Sequence, residues 1–114
     1  MDALPALDPL IHQPVRTQIL AFLSVRRGVS FSNLKRVLSV TDGNLGAHLA
    51  KLVNAGLVTS SREKTGDSRE QTVFSLTLVG RVALTTYVAH LSELVRLSSG
   101  NDQRTGATVS AKRE

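Results

Sequence analysis

The chain contains no cysteine. That absence excludes disulfide frameworks, thiol redox switches and thiolate metal sites, and it agrees with a reducing compartment. No apolar run approaches the roughly 18 residues needed to span a bilayer. The first residues, Met1-Asp2-Ala3-Leu4-Pro5, lack the basic region and the apolar stretch of a secretory signal. The expected location is therefore the cytoplasm, with no membrane partner. The three histidines, His12, His48 and His90, stand apart, and none shares an i, i+4 spacing with another, so neither a metal site nor a cofactor is expected. A nucleophile–base arrangement, a phosphate-cradling glycine loop and an evident acid pair are also missing, which argues against an enzyme.

What the 114 residues do contain is basic. Fourteen Lys and Arg stand against nine Asp and Glu, for a net charge of +5, and the sequence pI is about 10.5. This balance favours phosphate-bearing or otherwise acidic partners. The length suits one domain with a modest core.

All three prolines, Pro5, Pro9 and Pro14, fall at the start, among Leu4, Leu7, Leu10 and Ile11. Proline is tolerated in a first helical turn, so short helical pieces near Pro5 or Pro9 fit this arm of residues 1–13. From Pro14 to Val25 apolar residues recur at helical spacing (Val15, Ile19, Leu20, Phe22, Leu23), with Arg16, Gln18 and Arg26 outside and Gly28 as the stop. Ser30 is a candidate N-cap for a second helix with a stripe of Phe31, Leu34, Val37 and Leu38. After Ser39-Val40, Thr41 caps a third helix whose inward residues are Leu45, Leu49, Leu52 and Val53. Past Gly56 the period becomes extended: Leu57 to Arg62 and Gln71 to Leu76 read as strands around a polar, turn-rich tip. Thr77 opens a last helix, with Val79, Val82, Ala83, Tyr87, Val88, Leu91, Leu94 and Val95 as its apolar face to about Leu97. Residues 98–114 show no periodicity and read as a disordered tail.

The third helix is the most informative stretch. At about 100° per residue, its leucines cluster on one side, while Gly43, Ala47, Ala50 and Asn54 lie opposite, flanked by Asn44 and Lys51. Small residues there let the backbone approach another surface closely, and the DNA major groove admits one helix.

With these residues in place, the chain resembles the compact winged helix-turn-helix transcriptional regulators related to the MarR and ArsR types. Leu38-Ser39-Val40-Thr41-Asp42-Gly43-Asn44-Leu45, followed by His48-Leu49 and Lys51-Leu52, is similar to that group's turn and recognition helix. Ala55-Gly56-Leu57-Val58 resembles its helix-to-strand junction, and Phe74-Ser75-Leu76-Thr77-Leu78-Val79-Gly80-Arg81 its Leu-Thr-x-x-Gly-Arg boundary after the wing. The likeness spans about Leu10 to Leu97. It departs from the group at Val79, where a polar residue is common, and in having fewer wing arginines. It implies a mainly α fold with a small β-hairpin wing: a winged helix-turn-helix over 14–76, a dimerisation helix over 77–97, and an N-terminal segment that joins it in the dimer.

The function these features imply is a homodimeric, sequence-specific DNA-binding regulator acting on a pseudo-palindromic duplex site. The expected DNA contacts come from three places. Ser32, Asn33 and Lys35 lie on the second helix, which crosses the backbone. Thr41, Asp42, Gly43, Asn44, Ala47, His48 and Lys51 belong to the third, and Arg62, Lys64 and Arg69 to the wing. Asn44 suits an adenine edge, Lys51 guanine or phosphate, and Asp42 a cytosine amine, although Asp42 equally suits the positive end of its own helix. His48 is either a phosphate donor or a packing residue at the helix seam. A small core cannot cover every apolar residue at the chain's two ends. Leu4, Leu7, Leu10, Leu84, Tyr87, Val88, Leu91, Leu94 and Val95 are therefore expected at a two-fold interface, unless the N-terminal segment folds back over the last helix within one chain. A winged helix that binds protein instead of DNA is the alternative function. No polar cluster marks an effector pocket.

Overall fold

The computed structural model describes residues 4–64 and 66–105, side chains of 101–105 excepted. Its elements run α1 (Pro14–Val25), β1 (Val29–Ser30), α2 (Phe31–Leu38), α3 (Asp42–Asn54), β2 (Val58–Lys64), β3 (Glu70–Leu76) and α4 (Leu78–Thr105). This is the expected mainly α architecture with a hairpin wing.

Local chemistry sets the helix boundaries. Pro14 occupies the first turn of α1, where its missing N–H costs nothing, and the Gln13 side chain accepts the Arg16 N–H. The Ser30 and Thr41 hydroxyls accept the Asn33 and Asn44 N–H groups at 3.1 and 3.2 Å, so both expected N-caps are in place. At the end of α3 the Gly56 N–H donates to the Val53 carbonyl and the Leu57 N–H to that of Leu52, each at 3.0 Å. Gly56 has φ +79°, the left-handed conformation that closes a helix in this double-bonded way. Leu57 is thereby turned straight from helix into strand.

The sheet holds a strand that the sequence pattern did not reveal. β1, only two residues long, pairs antiparallel with β3 (Val29 opposite Phe74), giving the order β1-β3-β2. β2 and β3 pair from Val58–Leu76 out to Lys64–Glu70. The core lies between this sheet and the first three helices: Ile19, Leu20 and Leu23 of α1, Leu34 of α2, Leu45, Leu49 and Leu52 of α3, with Val58 and Phe74. Each such side chain contributes about 1.5–3 kcal/mol through burial.

Several expectations need correction. Val37 is 46% exposed, because α2 turns Phe31, Leu34 and Leu38 inward and Val37 lies roughly 90° off their line. Arg16 is half-buried and bonded rather than outside. The arm before α1 is a single turn rather than a helix: the Ile11 and His12 N–H groups donate to the Asp8 carbonyl, and the Asp8 carboxylate accepts the Leu10 N–H. Ile11, at the end of that turn, is fully buried. Finally, α4 does not stop near Leu97 but continues through Ser98, Ser99 and Gly100 to Thr105. A helix already nucleated extends without an apolar repeat. The remainder of the expected tail, 106–114, lies outside the described residues.

The segment before α1 meets α4. The N-terminal segment lies beside α4, where the Ala6 carbonyl is 3.2 Å from His90 Nδ1 and His12 Nδ1 is 2.8 Å from the Tyr87 hydroxyl. Tyr87, expected at a dimer interface, is 4% exposed within its own chain. Leu7, Leu10, Leu84 and Leu91 pack against the core only in part. Val79 and Val82 do not share the Tyr87 face: both are exposed. The segment thus covers one side of α4, as the fold-back alternative anticipates, and leaves Val88 and Val95 (49% and 58% exposed) on another.

Candidate nucleic-acid interface

α3 is seated by Leu45, Leu49 and Leu52, all at or below 2% exposure. Its other side is open. Asp42, Gly43, Asn44, Ala47, Ala50, Lys51 and Asn54 are all exposed, and a Cβ added at Gly43 would meet nothing within 4 Å. Among the described residues, neither the Asn44 side chain nor Lys51 has a polar partner. The expected ridge therefore stands outward on a buried leucine floor, with the Asn44 and Lys51 side chains unengaged.

Other expected contact residues are partly occupied. Lys35 of α2 and Asp42 of α3 form an ion pair of 2.8 Å. This bond closes the turn between the two helices and leaves Asp42 less suited to meet a base. The Asn33 side-chain oxygen accepts from Arg36 at 2.8 Å, while Ser32 stays exposed at the start of α2. The Thr41 hydroxyl serves the α3 cap. On the wing, Arg62 reaches both Glu70 (3.2 Å) and Thr72 (3.3 Å) across the strands, and Arg69 lies 3.7 Å from Asp67. Lys64 is exposed at the end of β2 without a polar partner among the described residues.

His48 sits at the seam between ridge and floor, half-buried. Its Nδ1 lies 3.0 Å from Nη1 of Arg16. Burial, then the Arg16 and Lys51 charges, hold its pKa below the ordinary histidine value, so the ring is neutral at neutral pH. Arg16 also donates through Nε to the Leu10 carbonyl at 2.6 Å. No sequence signal links residues 16 and 48; only the packing of α1 against α3 brings them together.

The wing root is the tightest junction. Thr77 donates its N–H to the Leu57 carbonyl (3.0 Å) and its hydroxyl to the Gly56 carbonyl (2.7 Å), and the same hydroxyl accepts the Gly80 N–H (2.9 Å). A Cβ at Gly80 would lie 2.0 Å from the Leu57 carbonyl oxygen. This explains the Leu-Thr-x-x-Gly-Arg run physically: threonine caps α4 and ties it to the end of α3, and glycine lets the two backbones touch. No helix among the described residues is long and apolar enough to cross a membrane, and none of their His, Asp and Glu side chains cluster in a way that could hold a metal ion.

Known proteins share this arrangement. An uncharacterised protein of Methanocaldococcus jannaschii is 35% identical over 85 residues, covering 75% of this chain and 91% of its own. A transcriptional regulator homologue from Pyrococcus horikoshii superposes with a TM-score of 0.69 at 31% identity, over 75% of this chain and 84% of that one. The transcriptional repressor CouR, solved bound to a 23-mer DNA duplex, shares the fold at 22% identity (TM-score 0.65, over 85% and 70% of the two chains). The family model for the winged helix DNA-binding domain matches residues 15–95. The chain therefore belongs to the winged helix DNA-binding domain family, and its fold is the one that MarR also adopts.

Proposed function

We propose that the protein is a homodimeric, sequence-specific DNA-binding transcriptional regulator. The observation that carries this reading is the α3 ridge, small and exposed from Gly43 to Asn54 above three buried leucines. In the major groove such a helix places Asn44 and Lys51 against base edges. Ser32 and Asn33 at the start of α2 meet flanking phosphates, as do His48 and Lys64, and Lys35 in the last turn of α2, Arg62 and Arg69 join them where DNA competes for their carboxylate partners. The relative solved on a DNA duplex supports the reading as a precedent for the fold.

The dimer forms through the side of α4 that its own chain covers only in part, with Val88 and Val95 exposed and Leu84 and Leu91 half-buried. Leu84, Val88, Leu91 and Val95 follow one another at intervals of four, three and four residues, a seam of the kind that joins paired helices. Leu94 borders it and the exposed Leu4 of the N-terminal segment joins the interface, while Tyr87 is committed inside the protomer. Two-fold symmetry then demands a pseudo-palindromic site with half-sites about 34 Å apart.

Selection of bound fragments from sheared genomic DNA by the purified protein tests this directly. The expected result is enrichment of a pseudo-palindrome, bound by two chains, with affinity falling steeply as salt rises. Absence of any retained duplex at low salt would overturn the reading.

A further inference from the structure

Arg16 lies on α1, away from the ridge, yet its guanidinium joins two parts of the molecule. Nε donates to the Leu10 carbonyl at 2.6 Å and Nη2 lies 3.5 Å from the Pro9 carbonyl, so the turn before α1 is held by its backbone. Nη1 lies 3.0 Å from Nδ1 of His48 on α3. A guanidinium has only donors. The ring nitrogen that faces it must present a lone pair, which places the His48 proton on Nε2. The charged groups acting on His48 are Arg16 from α1 and Lys51 from its own helix, both cationic. A second ring proton would set two donors face to face and break the contact.

We infer that Arg16 is a positioning residue for DNA binding: it fixes His48 as a neutral ring with Nε2–H as its free donor and locks the Pro9–Leu10 turn to the recognition helix. The inference rests on the DNA-binding reading above and adds a residue that no groove contact would reveal. It also makes His48 a directional hydrogen-bond donor instead of a diffuse positive charge. A bare histidine on a DNA-facing helix would gain affinity by charging; this one loses its support by doing so. The N-terminal turn that Arg16 grips also flanks α4, so the seating of α3 is bonded to the same segment that lies beside the dimer helix.

Long-range proton–nitrogen NMR of the histidine rings tests the first half and needs no DNA. Wild-type protein is expected to show His48 as the Nε2–H tautomer, with a titration midpoint below that of an exposed histidine. Arg16→Met should raise that midpoint and mix the tautomers. An Nδ1–H tautomer in the wild type overturns the inference without any variant, and so does a titration that a folded Arg16→Met protein leaves in place. The second half uses a duplex selected from sheared genomic DNA. Arg16→Met should weaken binding about tenfold, and Arg16→Lys, which keeps the charge but cannot span three acceptors, should restore little of it. In a His48→Ala background, Arg16→Met should cost much less. Full rescue by lysine, or equal losses in both backgrounds, would make Arg16 a simple phosphate contact and overturn its positioning role. Failure of wild-type protein to bind any duplex would instead reject the DNA reading, leaving the ring measurement to decide the Arg16–His48 bond.

Discussion

α3 and the β2–β3 hairpin both expose polar side chains, but Asn44 and Lys51 on the one and Arg62 and Arg69 on the other are left in opposite conditions. Asn44 and Lys51 stand on a helix pinned by Leu45, Leu49 and Leu52, with no polar partner among the described residues. On the hairpin, Arg62 already faces Glu70 and Arg69 already faces Asp67. A ligand meeting α3 gains contacts outright, whereas one meeting the wing must first separate exposed ion pairs worth little each. The lesson is that positive charge on a wing is not a measure of its grip. On the proposed reading, discrimination belongs to the helix, and the wing supplies an adjustable background.

Several experiments would break or sharpen this contrast. The largest effect should come where the two regions share a root. Gly80→Ala drives a methyl into the Leu57 carbonyl and should destabilise the fold by about 3 kcal/mol, read from urea unfolding, with helix and wing lost together. Leaving stability intact would show that α4 can shift away from the junction. Next, Asn44→Ala should cost about 1–3 kcal/mol of binding and relax preference at one base position, measured by selection on randomised half-sites. An unchanged preference would move the reading role elsewhere.

A smaller change addresses the wing. Glu70→Gln releases Arg62 and should tighten binding to unrelated duplex by no more than about threefold, with a steeper salt dependence. Glu93→Gln on α4 makes the same change in net charge at a distance from the wing. Equal effects from both would assign the gain to overall charge and not to the freed arginine. The smallest effect concerns pH. The His48 pKa is depressed in the folded chain, so the unfolded chain binds more protons between that value and about 6.5. Thermal stability should be full above that window and decline as pH falls through it, and His48→Gln should flatten the decline.

These effects also mark what could be read before any coordinates. The caps at Ser30 and Thr41, the Gly56 stop and the leucine floor of α3 are legible because each depends on neighbours within a turn or two of chain. The ridge follows from the same arithmetic. What escapes is set by distant partners. β1 exists only because Phe74 and Val73 lie opposite Val29 and Ser30. Arg16 looks like a solvated helix charge until α3 packs beside it. Tyr87 belongs to an apolar stripe by spacing, but His12 claims it from the other end of the chain. The pairings that occupy Arg62 and Asp42 join different elements, so a list of basic residues overstates how many are at liberty. The run of α4 past Leu97 escapes for another reason: polar residues can prolong a helix without leaving a periodic trace.

The fastening of Thr77 and Gly80 onto Gly56 and Leu57 has a last consequence. Both legs of the hairpin leave the body through one anchored doorway, since β2 begins beside Leu57 and β3 ends beside Thr77. Residues inserted or deleted near the tip, around Gly66, therefore do not disturb the doorway or the helix behind it. On the proposed reading, lengthening, shortening or recharging this flap alters how tightly the molecule holds any duplex and leaves the choice among sequences as it was.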